Sequence, residues 1–207
     1  MLAGMPPTRR VLALVAPLAG FLLGFLDFVW ITRVPYPLAE LGNSTATWAV
    51  AAFALGWWVR VGALRAAVAG VVLLVVAVPS YYLAATLLQG DDLAVITAPT
   101  SLLWMASGVL AGVVFGIAGV WARSSGWRRV VATALPAAVF VEEALRFAER
   151  GRTGYYPGAW WNVAIDLGLA ALVILLVARA ARTRLLASAV ALPLAALGAL
   201  VFVAVPG

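Results

Sequence analysis

The chain has 207 residues, 65% of them hydrophobic and 11% charged, with a formal charge of +6 at pH 7. Soluble domains average about 45–50% apolar and about 25% charged residues. This composition, with a mean hydropathy of +1.07, therefore excludes an ordinary soluble protein and leaves no room for a separate soluble domain. Every basic residue is Arg, and Lys, His and Cys are absent. That excludes a retinal-type Schiff base, a Ser–His hydrolase, haem attachment and soft-metal sites. Disulfides are excluded too, while a hard cation on carboxylates stays open. The excess of Arg reads as loop charge that orients a membrane protein, not as a nucleic-acid surface.

The length suits about six or seven spans of roughly 20 residues, and the pattern predicts seven. Met1–Arg10 is a tail whose Thr8-Arg9-Arg10 faintly resembles a twin-arginine export signal. Because several spans follow, it reads better as the positive flank of the first. That span is Val11–Ile31, with Gly20 and Gly24 on one face and Asp27 near its far end. A loop over Arg33–Thr47 contains Pro35, Pro37, Glu40 and Asn43. Thr45–Val61 is a short second span and Ala66–Leu88 a third, with a kink expected at Pro79. Gln89–Pro99 is a loop carrying Asp91-Asp92, which suggests a diphosphate–Mg²⁺ motif but lacks its third Asp. A solvated loop is the simpler reading.

Ser101–Ala122 is the fourth span. Gly108, Gly112 and Gly116, followed by Gly119, form a small-residue ridge for tight helix packing. Val130–Ala148 is the fifth span, Ala159–Ala178 the sixth and Leu185–Val205 the last. A cytoplasmic N-terminus puts ten Arg inside and four (Arg33, Arg146, Arg150 and Arg152) outside, a consistent positive-inside bias. The fold class expected is an all-α, seven-helix transmembrane bundle in one domain.

The distinctive chemistry lies between Pro136 and Asp166, with Asp27 beside it. Asp27, Glu142, Glu143 and Asp166 all fall inside spans. Each carboxylate would cost about 2.5–3.5 kcal/mol at a span centre, and less toward an edge. Counting the helical rise puts all four about 5–12 Å below the outer edge, a depth at which one cavity could hold them. Three remedies exist for the cost. Arg146 is i,i+4 from Glu142 and i,i+3 from Glu143, so it can pair with either. Protonation is a second. A wet cavity is the third, and Asn162, i,i+4 from Asp166, could hold that carboxyl. A buried pair that merely fixes the bundle explains part of the set, but one Arg cannot neutralise three or four acids.

Aromatic side chains are the other signal. Trp57, Trp58, Trp121 and Trp127 sit beside Arg at the inner edge, as an interface belt does. Trp30, Tyr81, Tyr82, Trp104, Tyr155, Tyr156, Trp160 and Trp161 gather at the outer ends, near the acids. They are either the outer belt or an aromatic rim able to hold a cation.

The succession LGNSTATWAVAAFALG, GVVLLVVAVPSYYLA and LAGVVFGIAGVWAR resembles a family of small actinobacterial multi-span membrane proteins over Val11–Phe147. A looser, architectural similarity is to integral-membrane terpene cyclases, in which intramembrane acids protonate a prenyl group without metal. That similarity implies Asp27, Glu142, Glu143 and Asp166 as catalytic acids. Trp30, Tyr81, Tyr82, Trp104, Arg146, Trp160, Trp161 and Asn162 would line the substrate pocket. The partners expected are a hydrophobic or prenylated small molecule and membrane lipid, with no nucleic acid, cofactor or metal. The alternatives are a substrate-capturing subunit of a vitamin-type transporter and a structural protein without a ligand.

Overall fold

The computed structural model describes residues 6–154, 156 and 158–204, without the side chains of 201–204. Tyr155, the first five residues of the expected tail and Val205 lie outside these. The architecture is all-α. Seven long helices follow in order: α1 (Arg9–Arg33), α2 (Thr45–Val59), α3 (Ala63–Gln89), α4 (Pro99–Trp121), α5 (Trp127–Arg152), α6 (Ala159–Val177) and α7 (Ala181–Ala204). Two short 3-10 helices, Leu38–Asn43 and Leu93–Thr97, interrupt the first and third connections. The seven helices fall where the apolar pattern predicts them.

Five of them, α1, α3, α4, α6 and the stretch Ala181–Leu200 of α7, are long and apolar enough to cross a membrane. The chain is a multi-pass membrane protein. The other two differ from the simple span pattern for separate reasons. Helix α2 is apolar but only 15 residues long. Helix α5 has 26 residues, about 39 Å at the helical rise, but charged side chains along its length dilute its apolar character. It packs on α6, α7, α4 and α2, which bury Thr133, Glu142 and Glu143 and leave most of the charged residues at its ends exposed.

Among the described residues two larger apolar cores result, with a small third cluster of Phe28, Ala84 and Ala85 between α1 and α3. One joins α1–α4 around Phe53, Leu55, Val59, Leu73, Leu74 and Phe115. The other joins α5, α6 and α7 around Phe140 and Ile174, with Ala46 of α2 completing it. Lipid tails are as apolar as Leu, so close approach rather than the hydrophobic effect holds such helices together. The glycines show where. A Cβ on Gly20 or Gly24 of α1 would collide with the backbone of Leu73 or Ala77 of α3. Gly112 and Gly116 of α4 abut the backbone of α3 at Val71 and Ala66, and Gly119 abuts α2 at Phe53 and Trp57. The ridge on α4 is thus spent on packing inside this chain. Helix α3 continues through Pro79, and the Ser80 hydroxyl donates to the Phe21 carbonyl at 2.6 Å.

The ends of the bundle are marked by side chains. The Tyr36 hydroxyl, after α1, donates to the Gly158 carbonyl, before α6, so the α1–α2 and α5–α6 connections share one end. Gly158 has a φ of +87°, a conformation that favours Gly, and the Tyr36 ring lies against it. At the opposite end the Arg123 guanidinium stacks 4.9 Å from the Trp57 ring. Asp91 and Asp92 are exposed, and Asp92 Oδ1 accepts from the Ala94 N–H at 2.9 Å. Asp92 thus caps a 3-10 turn in an exposed loop.

Candidate functional site

The four acids have three different surroundings. Glu142 and Glu143 are adjacent on α5, so their side chains point about 100° apart around the helix. Glu143 faces the start of α2. Its Oε2 accepts from the Ser44 hydroxyl at 2.6 Å, and its Oε1 accepts from the Thr45 hydroxyl at 2.6 Å and the Ala46 N–H at 3.1 Å. Arg146 Nη2 lies 3.5 Å from the same carboxylate. Ser44 is itself the N-cap of α2, accepting from the Thr47 N–H at 3.1 Å. An anion here is matched to the positive end of a helix dipole. With Ser44, Thr45 and Ala46 all donating to it, Glu143 anchors α5 to the start of α2.

Glu142 faces α7, where a Cβ on Gly198 would lie 3.6 Å from its Cγ. Its Oε1 lies 2.9 Å from Arg146 Nε. Outside that ion pair neither oxygen has a hydrogen-bond partner. Asp27 on α1 turns toward α2 instead, and the Trp48 indole N–H donates to its Oδ2 at 2.9 Å. It is 8% exposed and borders neither cavity at this end of the bundle. Shared depth therefore does not bring all four acids into one cavity; helical direction separates them.

Asp166 and Asn162 on α6 form the part that lacks partners. They are 3% and 2% exposed. Asp166 Oδ2 and both polar atoms of the Asn162 amide have no hydrogen-bond partner. They border a void of about 10 Å³ walled also by Pro37, Glu40, Leu41, Glu143, Phe147 and Ile165, room for one water-sized group. A cleft of about 230 Å³ adjoins it, walled by Glu40, Asn43, Ser44, Glu143, Arg146, Phe147 and Arg150. The two share Glu40, Glu143 and Phe147.

The segment after α1 covers this region. Tyr156 donates to Glu40 Oε1 at 2.7 Å, and its ring stacks on Phe147 and meets Tyr36 edge-on. Burial and the adjacent Glu40 carboxylate push the Tyr156 phenol up to about 12, so it stays the donor. The Trp30 indole donates to the Leu38 carbonyl at 2.8 Å. The Leu38–Asn43 turn is thus held at Leu38 and at Glu40, and its Glu40 and Leu41 wall the void.

The expected pocket residues divide accordingly. Glu143, Asp166, Asn162 and Arg146 border the cavities. Trp30 supports the covering turn. Tyr81 and Tyr82 are half-buried and meet edge-on, and Tyr81 also meets Phe28 edge-on. Trp104, Trp160 and Trp161 are exposed, at 43%, 56% and 68%, as belt residues would be. Glu40, Phe147, Ser44 and Thr45 are site residues that the spacing did not single out. Ser44-Thr45 ahead of an apolar run is an N-cap signal, so the start of α2 was legible and its carboxylate partner was not. Among the described residues no group of three Asp, Glu, His or Cys is placed to hold a metal ion.

The match to a family spans residues 4–207, nearly the whole chain. The chain belongs to the family of unknown function DUF6518. No curated protein matches it, and neither does any solved structure. The family carries no assigned chemistry, so any function must be argued from the site.

Proposed function

We propose that this chain is a solute-binding membrane protein of the substrate-capturing kind that serves uptake systems. A small polar or cationic solute enters the cleft beneath the Leu38–Asn43 turn and meets Asn162 and Asp166 at its floor. One observation carries this reading: three buried polar atoms on α6 without partners, beside a void that shares the walls Glu40, Glu143 and Phe147 with a larger cleft. An unpaired buried polar group costs about 1–3 kcal/mol. A bound solute that pairs these atoms recovers that cost.

Native mass spectrometry of protein released from its membrane tests the proposal. The expected result is a small-molecule adduct on the wild type that Asp166→Asn loses while keeping its fold. The absence of an adduct, together with no stabilisation by any cationic or zwitterionic solute, would refute it.

A second reading is an enzyme, a metal-independent cyclase of a prenylated substrate. It is favoured by Asp27, a buried acid next to the Phe28–Tyr81 ring pair and bonded to Trp48. In that case Asp27 donates the initiating proton and the rings steady the cation. Incubation with farnesylated indoles in the presence of chelator would give an isomeric product that is lost in Asp27→Asn. The polar cleft and the outward Trp104, Trp160 and Trp161 give this reading less support.

A further inference from the structure

The size and charge of the void narrow the solute class, on the basis of the solute-binding reading above. The void holds one water-sized group. The ionisable residues on its walls are three carboxylates, Glu40, Glu143 and Asp166, beside the Asn162 amide, and one guanidinium, Arg146, stands behind Glu143 at 3.5 Å. Glu143 is already engaged by Ser44, Thr45, Ala46 and Arg146. Glu40 accepts from Tyr156 through one oxygen. That leaves Asp166 Oδ2 and Asn162 Oδ1 as buried acceptors without donors.

An occupant of this void should be small, positive and rich in N–H donors. A divalent ion asks for more oxygen ligands, and no three-acid group is placed for one among the described residues. A guanidinium or a trimethylammonium group exceeds one water in volume. A primary ammonium matches on all counts: it is water-sized, carries one positive charge and offers three donors.

We infer that the solute is a primary amine whose –NH3⁺ head fills the void between Asn162 and Asp166. Its organic body lies in the cleft against Phe147, beneath Glu40. The Asn162 Nδ2 donor then faces water or a polar atom on the solute body. Arg146 and Arg150 on the cleft wall meet the far end of the solute, so a polar or anionic tail is tolerated there and a second cation is not.

The test is isothermal titration of the full chain in lipid nanodiscs at fixed ionic strength. The probes are propylammonium and benzylammonium chloride, their N,N,N-trimethyl analogues, and the two corresponding alcohols. The expected result is saturable binding of at least one primary amine. Its trimethyl analogue and alcohol should bind at least about tenfold more weakly. Asp166→Asn and Asn162→Ala should each weaken the amine about tenfold or more, while Asp166→Asn melts as the wild type does.

Equal binding of the trimethyl analogue, or undiminished binding by Asp166→Asn, overturns the inference. If neither amine binds but a solute of another class co-purifies, the amine inference falls and the solute-binding reading stands. If neither amine binds and no solute co-purifies, both fall, and the void is a water site.

Discussion

Glu143 on α5 and Ser44 at the start of α2 are 99 residues apart in sequence and share a hydrogen bond of 2.6 Å. That bond ties the α5–α7 half of the bundle to the α1–α4 half, since the same carboxylate also takes the Thr45 hydroxyl and the Ala46 N–H. Replacing Glu143 with Ala leaves the Ser44 and Thr45 hydroxyls and the Ala46 N–H without their acceptor, while Arg146 keeps its pair with Glu142. Each buried donor left without its acceptor costs about 1–3 kcal/mol. Glu143→Ala should therefore lower the melting temperature in detergent sharply, whereas Asp166→Asn should leave it near the wild-type value. Equal effects of the two would contradict the division of roles drawn between these acids.

The same logic applies to Asp27. The Trp48 indole is its hydrogen-bond donor, so Trp48→Phe strands a buried carboxylate at a cost of about 1–3 kcal/mol. Solute binding at Asp166 should be unchanged, because Asp27 borders neither cavity. Thermal melting and a binding titration on one preparation check both halves of the prediction.

The glycine contacts give a paired test of packing. A Cβ at Gly24 would sit against the Ala77 carbonyl and the Tyr81 backbone nitrogen, neither of which can move without α3. Gly24→Ala should cost about 1–3 kcal/mol as overpacking does. At Gly168 nothing lies within 4 Å of the added carbon, and Gly168→Ala should stay within about 0.5 kcal/mol of wild type. Folded yield and melting temperature of the two variants decide it.

The strap over the site should loosen in steps. Tyr156→Phe removes the bond to Glu40, and Tyr36→Phe removes the bond to Gly158. Each change should cost about 1 kcal/mol, read as faster amide exchange in the Leu38–Asn43 turn with helix cores unaffected. The folded Tyr156 phenol lies at about 12, above the ~10 of free Tyr. A raised folded value holds the proton more tightly. The Tyr156 contribution is thus complete below pH ~10 and falls away as pH rises toward 12.

Seven helices were legible in the sequence because apolar runs separated by Arg, Gly and Pro mark membrane segments strongly. Gly20, Gly24 and the α4 ridge announced close packing, and their partners became clear only with α3 and α2 in place. Of the site, Glu143, Asp166, Asn162 and Arg146 were legible as polar residues in apolar surroundings. Depth along a helix could be counted from sequence, but direction around it could not, and that is why Asp27 and Glu142 were grouped with a cavity they do not border. Glu40 was hidden because its bond to Tyr156 joins two loops 116 residues apart. The outer Trp residues were ambiguous for a related reason, since belt and pocket rings look alike until exposure is known.

Orientation can be measured directly, because the chain contains no Cys. Single substitutions Asp91→Cys and Ser125→Cys place one thiol in the α3–α4 connection and one in the α4–α5 connection. The Arg distribution predicts that an impermeant maleimide added to intact cells labels the first and spares the second. The reverse pattern would turn the site toward the cytoplasm.

The most direct measurement is an experimental density map of the protein as purified from its native membrane, at a resolution that separates water from an organic solute. A solute-binding protein should show continuous density from the void at Asn162 and Asp166 into the cleft beside Phe147, lost in Asp166→Asn. A lone water between Asn162 and Asp166, with only disordered solvent in the cleft of wild type and variant alike, would contradict it.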